Sequence, residues 1–274
     1  MYRKTWKECH SAICSISFLN GNNIKTSFFT GFKVNHYLIT DESIYQVDHA
    51  DFVEIRFVGT DGFTITQSVI IPVNDFYDRI IEGSQAEDNG FAIVNIDFPE
   101  FSEIPSLKLC YEGCYQIGQS IAIFGYPVDQ NNLNINHGII SSFYLNDKGI
   151  KYIQFDASIK QGYSGGPIIN VETGMVIGII GYRLVKILKT YHQIKEITAN
   201  NIALLEEVKN SMFIKNIDPV QVLMANQNQI KLIAKEMFRS SYRSGGLALE
   251  INEVIKHFSE NLKEEKVKKV KVKL

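Results

Sequence analysis

Short apolar or alternating runs punctuate the first two thirds of the chain. SAICSISFL, SFFTGFKV, DFVEIRFV, FAIVNI, QSIAIFGY, GIISSFYL, KYIQFDA and MVIGIIGY are separated by Gly, Asn and Asp turn signals. In DFVEIRFV the alternation puts Val53, Ile55 and Phe57 on one face and Glu54 and Arg56 on the other, the pattern of a half-buried strand. Strands this numerous, with no helix of useful length between them before residue 184, predict an all-β sandwich or barrel rather than a parallel α/β sheet.

The period changes after Arg183. Ile197, Leu204, Leu205, Val208 and Met212 return at helical spacing, and a second stripe runs through Val220, Leu223, Met224, Ile230, Ile233 and Met237. Asp218, Pro219 and Gln221 supply an N-cap, a first helical residue and a capping-box partner for the second of these helices. SYRSGGLALEI then reads as a strand led by glycine. Asn252 caps a short helix with Val254, Ile255, Phe258 and Leu262 on one face, and KVKKVKVKL follows as a basic tail.

Composition narrows the class. At 274 residues, 45% hydrophobic and 21% charged, the chain can bury a large core, and disorder throughout is excluded. No run approaches the roughly 18 apolar residues of a membrane helix, and MYRKTWKECH lacks the apolar core of a secretory signal, so a cytoplasmic location is expected. Cys9, Cys14, Cys110 and Cys114 are too few for a disulfide scaffold and are expected reduced; their spacings are not those of zinc sites, and neither a metal nor a cofactor is expected. The net charge of −2 conceals a partition, since residues 263–274 hold six lysines against two glutamates and leave the body acidic. An acidic body is a poor general nucleic-acid binder.

The strongest chemical signal is Gly162-Tyr163-Ser164-Gly165-Gly166-Pro167. Small residues around a serine allow a sharp turn that leaves its hydroxyl clear and aims the amides of Gly162 and Ser164 at one spot, as an oxyanion hole requires. This segment resembles the nucleophile loop of the trypsin-like serine proteases, and most closely the HtrA (Deg) type. Phe124-Gly125-Tyr126-Pro127, His137 to Ser142, Thr30 to Val34 with Tyr37 to Thr40, and Gly246 to Asn252 resemble further signatures of that family, in register. The resemblance implies a chymotrypsin-like double six-stranded β-barrel with the active site between the barrels. Residues 1–105 would form the first barrel, and 106–183 with 245–262 the second barrel and a C-terminal helix. Residues 184–244 become a helical insertion before the last strand, and 263–274 a basic tail.

Two positions depart from the family. Ser43 stands where the family has its histidine, and Gly90 where it has its aspartate, with Asp88 two residues upstream. A serine hydroxyl is a weak nucleophile without an adjacent base, and loss of the histidine from a comparable triad costs on the order of 10⁶ in turnover. His36, His49 and His137 are not at the motif position, and an ordinary carboxylate at Asp41 or Glu42 is badly matched to a serine.

In the resemblance Ser158 lies at the base of the primary specificity pocket, and Ile179, Ile180, Gly181 and Tyr182 offer a strand edge to an extended peptide. A pocket filled by the protein's own side chains, Tyr163 among them, is the alternative. Three functions follow as expectations. The first is a catalytically impaired homologue, a pseudoprotease, that binds a protein or peptide in the cleft or regulates it. The second is an active cytosolic endopeptidase using Ser164 with an unconventional base. The third is a structural subunit organised by partner docking or self-association through residues 184–244. The tail suggests nucleic acid or an anionic membrane only weakly.

Overall fold

The chain opens in a short helix, α1 (Tyr2–Cys9), and passes into β1 (Ile13–Leu19), the strand around which the first half is built. A computed structural model describes residues 1–84, 90–111, 115–128, 130–181, 183–209, 213, 218–242 and 246–256. β1 pairs antiparallel with β2 (Lys25–Val34) on one side and with β4 (Phe52–Val58) on the other. β3 (Tyr37–Asp41) joins β2, and β5 (Ile65–Pro72) joins β4. β6 (Ile80–Ser84) and β7 (Phe91–Asn95) complete one seven-stranded sheet in the order β5-β4-β1-β2-β3-β7-β6. The resemblance implied six strands here. β5 and β6 are instead the two ends of a seven-stranded sheet, and the chain passes between them through the helix α2 (Val73–Asp78).

Val53, Ile55 and Phe57 are buried, as the alternation predicts, in a cluster with Cys14, Ile16, Phe18 and Phe29. Phe18 is its aromatic hub, edge-on to Phe29 at 5.9 Å and to Phe76 at 5.7 Å. The opposite face of β4 departs from the half-buried pattern, because Arg56 is only 9% exposed. Alternation along one strand reports one face of one sheet. It carries no information about what the second half lays over the other.

The second half is a closed barrel of β8 (Ser120–Gly125), β9 (Asn134–Leu145), β10 (Lys151–Asp156), β11 (Pro167–Asn170), β12 (Val176–Ile180) and β13 (Gly246–Glu250), in the order β10-β13-β12-β11-β8-β9. β13 sits between β10 and β12, so the last strand completes the wall although about sixty residues precede it in the chain. A second apolar cluster runs from the barrel interior, through Phe124, Ile169, Val176 and Leu249, onto Ile13, Phe32 and Ile39 of the first sheet. α1 lies over this junction, with Trp6 stacked on Phe124 at 5.9 Å and its Nε1 donating to the Thr60 carbonyl at 2.9 Å.

Leu184–Ser244 form a compact unit of their own. It contains α3 (Arg183–Glu207) and α4 (Pro219–Tyr242). Asp218 caps α4 by accepting from the Val220 amide at 2.9 Å, with Pro219 as the first helical residue. The buried or half-buried positions trace one row on each helix, Ile194, Thr198 and Leu205 on α3 and Val220, Met224 and Ala234 on α4, with Asn201 donating to Gln227. Ile197, Leu204, Val208, Leu223, Ile230, Ile233 and Met237 are exposed. A two-helix pair covers one narrow seam per helix, so most of the apolar stripe read from the sequence lies outside it.

Cys9 and Cys14 are free and buried, and burial pushes the Cys9 thiol up to about 12. Cys110 is disulfide-bonded, which corrects the expectation that all four cysteines are reduced. Its neighbour Cys114, together with Asp88, Tyr182, Met212, Phe258, Leu262 and the basic tail, lies outside the described residues.

Phe18→Ala removes the ring at the centre of the first cluster. It is expected to lower unfolding free energy by about 3–5 kcal/mol in urea titrations, with an unchanged slope against denaturant.

Candidate functional site

The loop around Ser164 is built on two glycines with left-handed backbone. Gly162 has φ +99° and a Cβ there would lie 2.1 Å from the Tyr126 carbonyl oxygen; Gly165 has φ +81° and a Cβ there would lie 2.2 Å from both the Thr30 carbonyl oxygen and the Thr40 hydroxyl. Both positions therefore exclude a side chain for two separate reasons. This is the turn that the Gly-Tyr-Ser-Gly-Gly-Pro pattern predicts.

Thr30, on β2, holds that loop against the first sheet. Its amide donates to the Ser164 carbonyl at 2.9 Å, and its hydroxyl donates to the Gly162 carbonyl at 2.6 Å. The same hydroxyl accepts from the Tyr126 amide at 3.0 Å, and the Thr30 carbonyl accepts from the Thr40 hydroxyl at 2.8 Å. Gly165 and Gly166 are fixed from the other side, the Gly165 amide donating to the Ile180 carbonyl at 2.8 Å and the Ile180 amide to the Gly166 carbonyl at 2.9 Å. Neither the Gly162 amide nor the Ser164 amide donates to a described residue, so the two donors expected of an oxyanion hole are uncommitted.

Ser164 itself is 1% exposed, and its hydroxyl oxygen has no hydrogen-bond partner among the described residues. No described side chain is placed to take its proton. Ser43, at the position of the family's histidine, is buried and directs its hydroxyl and its amide to the carboxylate of Asp41, the amide at 2.9 Å. Asp41 is thereby the cap of the short 3₁₀ turn Glu42–Gln46. Gly90 is buried just before β7, whose Phe91 stands opposite Asp41, and as glycine it brings no side chain to the cluster.

The three histidines considered as substitutes lie elsewhere. His36 is exposed and packs on Tyr37 at 4.1 Å. His49 is exposed in a left-handed turn with φ 59°, and His137 is exposed, edge-on to Tyr2 at 6.0 Å. None is a partner of the Ser164 hydroxyl.

The expected peptide-binding features are altered. Ser158 is exposed, and its carbonyl accepts from Asn136 Nδ2 at 2.6 Å. The same Nδ2 donates to the Tyr163 hydroxyl at 3.3 Å, while the Tyr163 ring is wholly buried against Gly125, where a Cβ would come within 2.5 Å of it. Burial pushes the Tyr163 phenol above its ordinary range, with Asn134 and Asn136 pulling the other way, so it is neutral at physiological pH. Ile179 and Ile180 are corrected from a free edge to an internal strand. Ile179 pairs with Pro167 and Leu249, and Ile180 with Ala248, because β13 and the Ser164 loop take up both sides. Gly181 donates to the Leu247 carbonyl at 3.5 Å. Thr30 and Asn136 were not singled out from the sequence; Thr30 was legible only as part of a motif, and nothing in the sequence marks Asn136.

The model of the trypsin-like peptidase domain matches residues 31–179. Human serine protease HTRA4 is 26% identical over 141 residues, covering 46% of this chain and 29% of that protein. Serine protease HTRA1B of Danio rerio is 33% identical over 139 residues, covering 44% and 28%. The chain therefore spans under a third of the length of these relatives. The serine endoprotease from Yersinia pestis superposes with a TM-score of 0.48 at 18% identity, over 66% of this chain and 57% of that one.

Thr30→Val keeps the side-chain shape but leaves the Gly162 carbonyl and the Tyr126 amide without their buried partner. It is expected to destabilise the protein by about 1–3 kcal/mol in urea unfolding, whereas Thr30→Ser, which keeps the hydroxyl, is expected to stay near wild type.

Proposed function

Because the chain belongs to the trypsin-like peptidase family, and is a serine-protease homologue of the HtrA type, we propose that it is a catalytically impaired member acting as a protein-binding or regulatory module. The observation that carries this reading is the Ser164 hydroxyl, buried beside two uncommitted amides and without a hydrogen-bond partner among the described residues. A positioned nucleophile needs a base within about 2.6–3.2 Å, held in turn by a third group. Ser43 cannot be that base, and its hydroxyl is committed to Asp41. The two uncommitted amides can receive a carbonyl or carboxylate oxygen of a bound segment without any bond being broken. The expected location moves with the cysteines, since a disulfide at Cys110 favours an oxidising compartment over the cytoplasm.

A second reading draws on the helical unit. Its exposed Leu223, Ile230, Ile233 and Met237 recur at heptad-like spacing along α4. Contiguous apolar surface of this kind marks an interaction face. A protein partner or a second copy would dock there.

Incubation with a fluorophosphonate probe is expected to leave Ser164 unlabelled over hours at pH 7.5. Stoichiometric labelling abolished by Ser164→Ala contradicts the impaired reading. For the helical face, Leu223→Glu with Ile233→Glu is expected to convert any oligomer of the full chain to monomer in light-scattering measurements; an oligomer that survives unchanged removes self-association through this face.

A further inference from the structure

Each helix of the Leu184–Ser244 unit carries a second row of side chains beside the one it buries. On α4 the row is Leu223, Asn226, Ile230, Ile233 and Met237, in the alternating three- and four-residue steps of a heptad seam. On α3 it is Ile197, Asn201, Leu204 and, just past the helix end, Val208. All seven apolar members are between 45% and 67% exposed.

Asn201, near the end of α3, bonds Gln227, near the start of α4, the contact of an antiparallel pair. At 3.6 residues per turn the second row lies about a quarter turn from the buried row on each helix, and in the same rotational sense. The same sense on two antiparallel helices puts both rows on one face of the pair. Lys195 and Lys235 turn the other way, and no charged residue falls on either row. With rows about 20 Å long and axes about 10 Å apart, the face is a patch of a few hundred Å², large enough to mark an interaction site.

Three features of the face select its occupant. Two antiparallel helices with heptad spacing on one side are half of a four-helix bundle. A face without charge lets two copies meet with no repulsion and no ion to desolvate. Its polar members stand at one level, Asn226 beside Asn201 and its Gln227 partner, and an amide both donates and accepts, so the level is satisfied by another copy of itself. A lipid surface would leave those amides unpaired.

Resting on the reading of this face as an interaction surface, we propose that it takes a second copy of this chain. The two helix pairs close into a two-fold four-helix bundle, with Ile197, Leu204, Leu223, Ile230 and Ile233 in its core. The Asn226 levels of the two copies meet, as a single buried Asn does in a coiled coil, and fix the register and the number of copies.

Sedimentation velocity of the full chain between about 1 and 100 µM is the test, because a patch at the small end of specific interfaces makes a dimer of micromolar strength. The wild type is expected to pass from monomer to dimer and to stop there. Asn226→Asp and Asn226→Lys each bring like charges into the shared level, and each is expected to weaken the dimer by at least about tenfold. Mixed in equal amounts, at concentrations where each alone is monomeric, they are expected to recover a dimer. Asn226→Leu is expected to associate at least about tenfold more tightly and to form species larger than the dimer. A wild type that stays monomeric throughout overturns the second copy and leaves the face to another partner. A dimer that survives Leu223→Glu with Ile233→Glu does not use the face at all and overturns both readings. Charged variants that stay apart on mixing, where the wild type is a dimer, overturn the Asn226 level.

Discussion

The structure around Ser164 depends on one residue of the first sheet. Thr30 uses its amide, its carbonyl and both capacities of its hydroxyl, and every one of these bonds joins segments far apart in sequence except the one from Thr40. The nucleophile loop is consequently not a self-supporting turn. Its glycines take up left-handed backbone because the Thr30 and Tyr126 carbonyls occupy the space a side chain would need. Without β2 in place, the Gly162 and Ser164 carbonyls would have to find other donors, and the two free amides would lose their fixed direction.

Among the described residues the scaffold of the loop is present, and no histidine is bonded to the Ser164 hydroxyl. The buried cluster facing the loop contains Asp41 and Ser43, bonded to each other, with Gly90 at the adjoining position. Asp41 serves a short helical turn instead of an imidazole. The donors that bind a developing oxyanion are separable from the group that generates one, and among the described residues the Gly162 and Ser164 amides are uncommitted. Tyr163 reinforces the point, because its buried ring and its hydrogen bond to Asn136 tie the loop to the strand beneath Ser158.

The sequence made some of this legible and not the rest, for physical reasons. β1 and β4 were readable because their apolar positions alternate, β8 and β12 because short apolar runs are bounded by turn residues, and the Ser164 turn because only glycine tolerates φ near +99° and +81°. The Asp218 cap of α4 was readable because capping is local chemistry. Contacts made across the chain were not. Arg56 is buried on the face whose Thr30 bonds Gly162 and Tyr126 of the second half, and the loss of Ile179 and Ile180 as an edge arises from β13 returning after the helical unit. The exposed apolar residues of α3 and α4 show the converse limit, since periodicity reports a stripe without reporting what covers it.

The activity of Ser164 is the point on which the functional reading turns. The most direct measurement is digestion of a denatured peptide library by the wild-type chain and by Ser164→Ala, with new termini identified by mass spectrometry across pH 6–9. If no base reaches Ser164, the two digests are the same at every pH. Cleavages made by the wild type, absent from Ser164→Ala and rising through the neutral range as a base loses its proton, would contradict it.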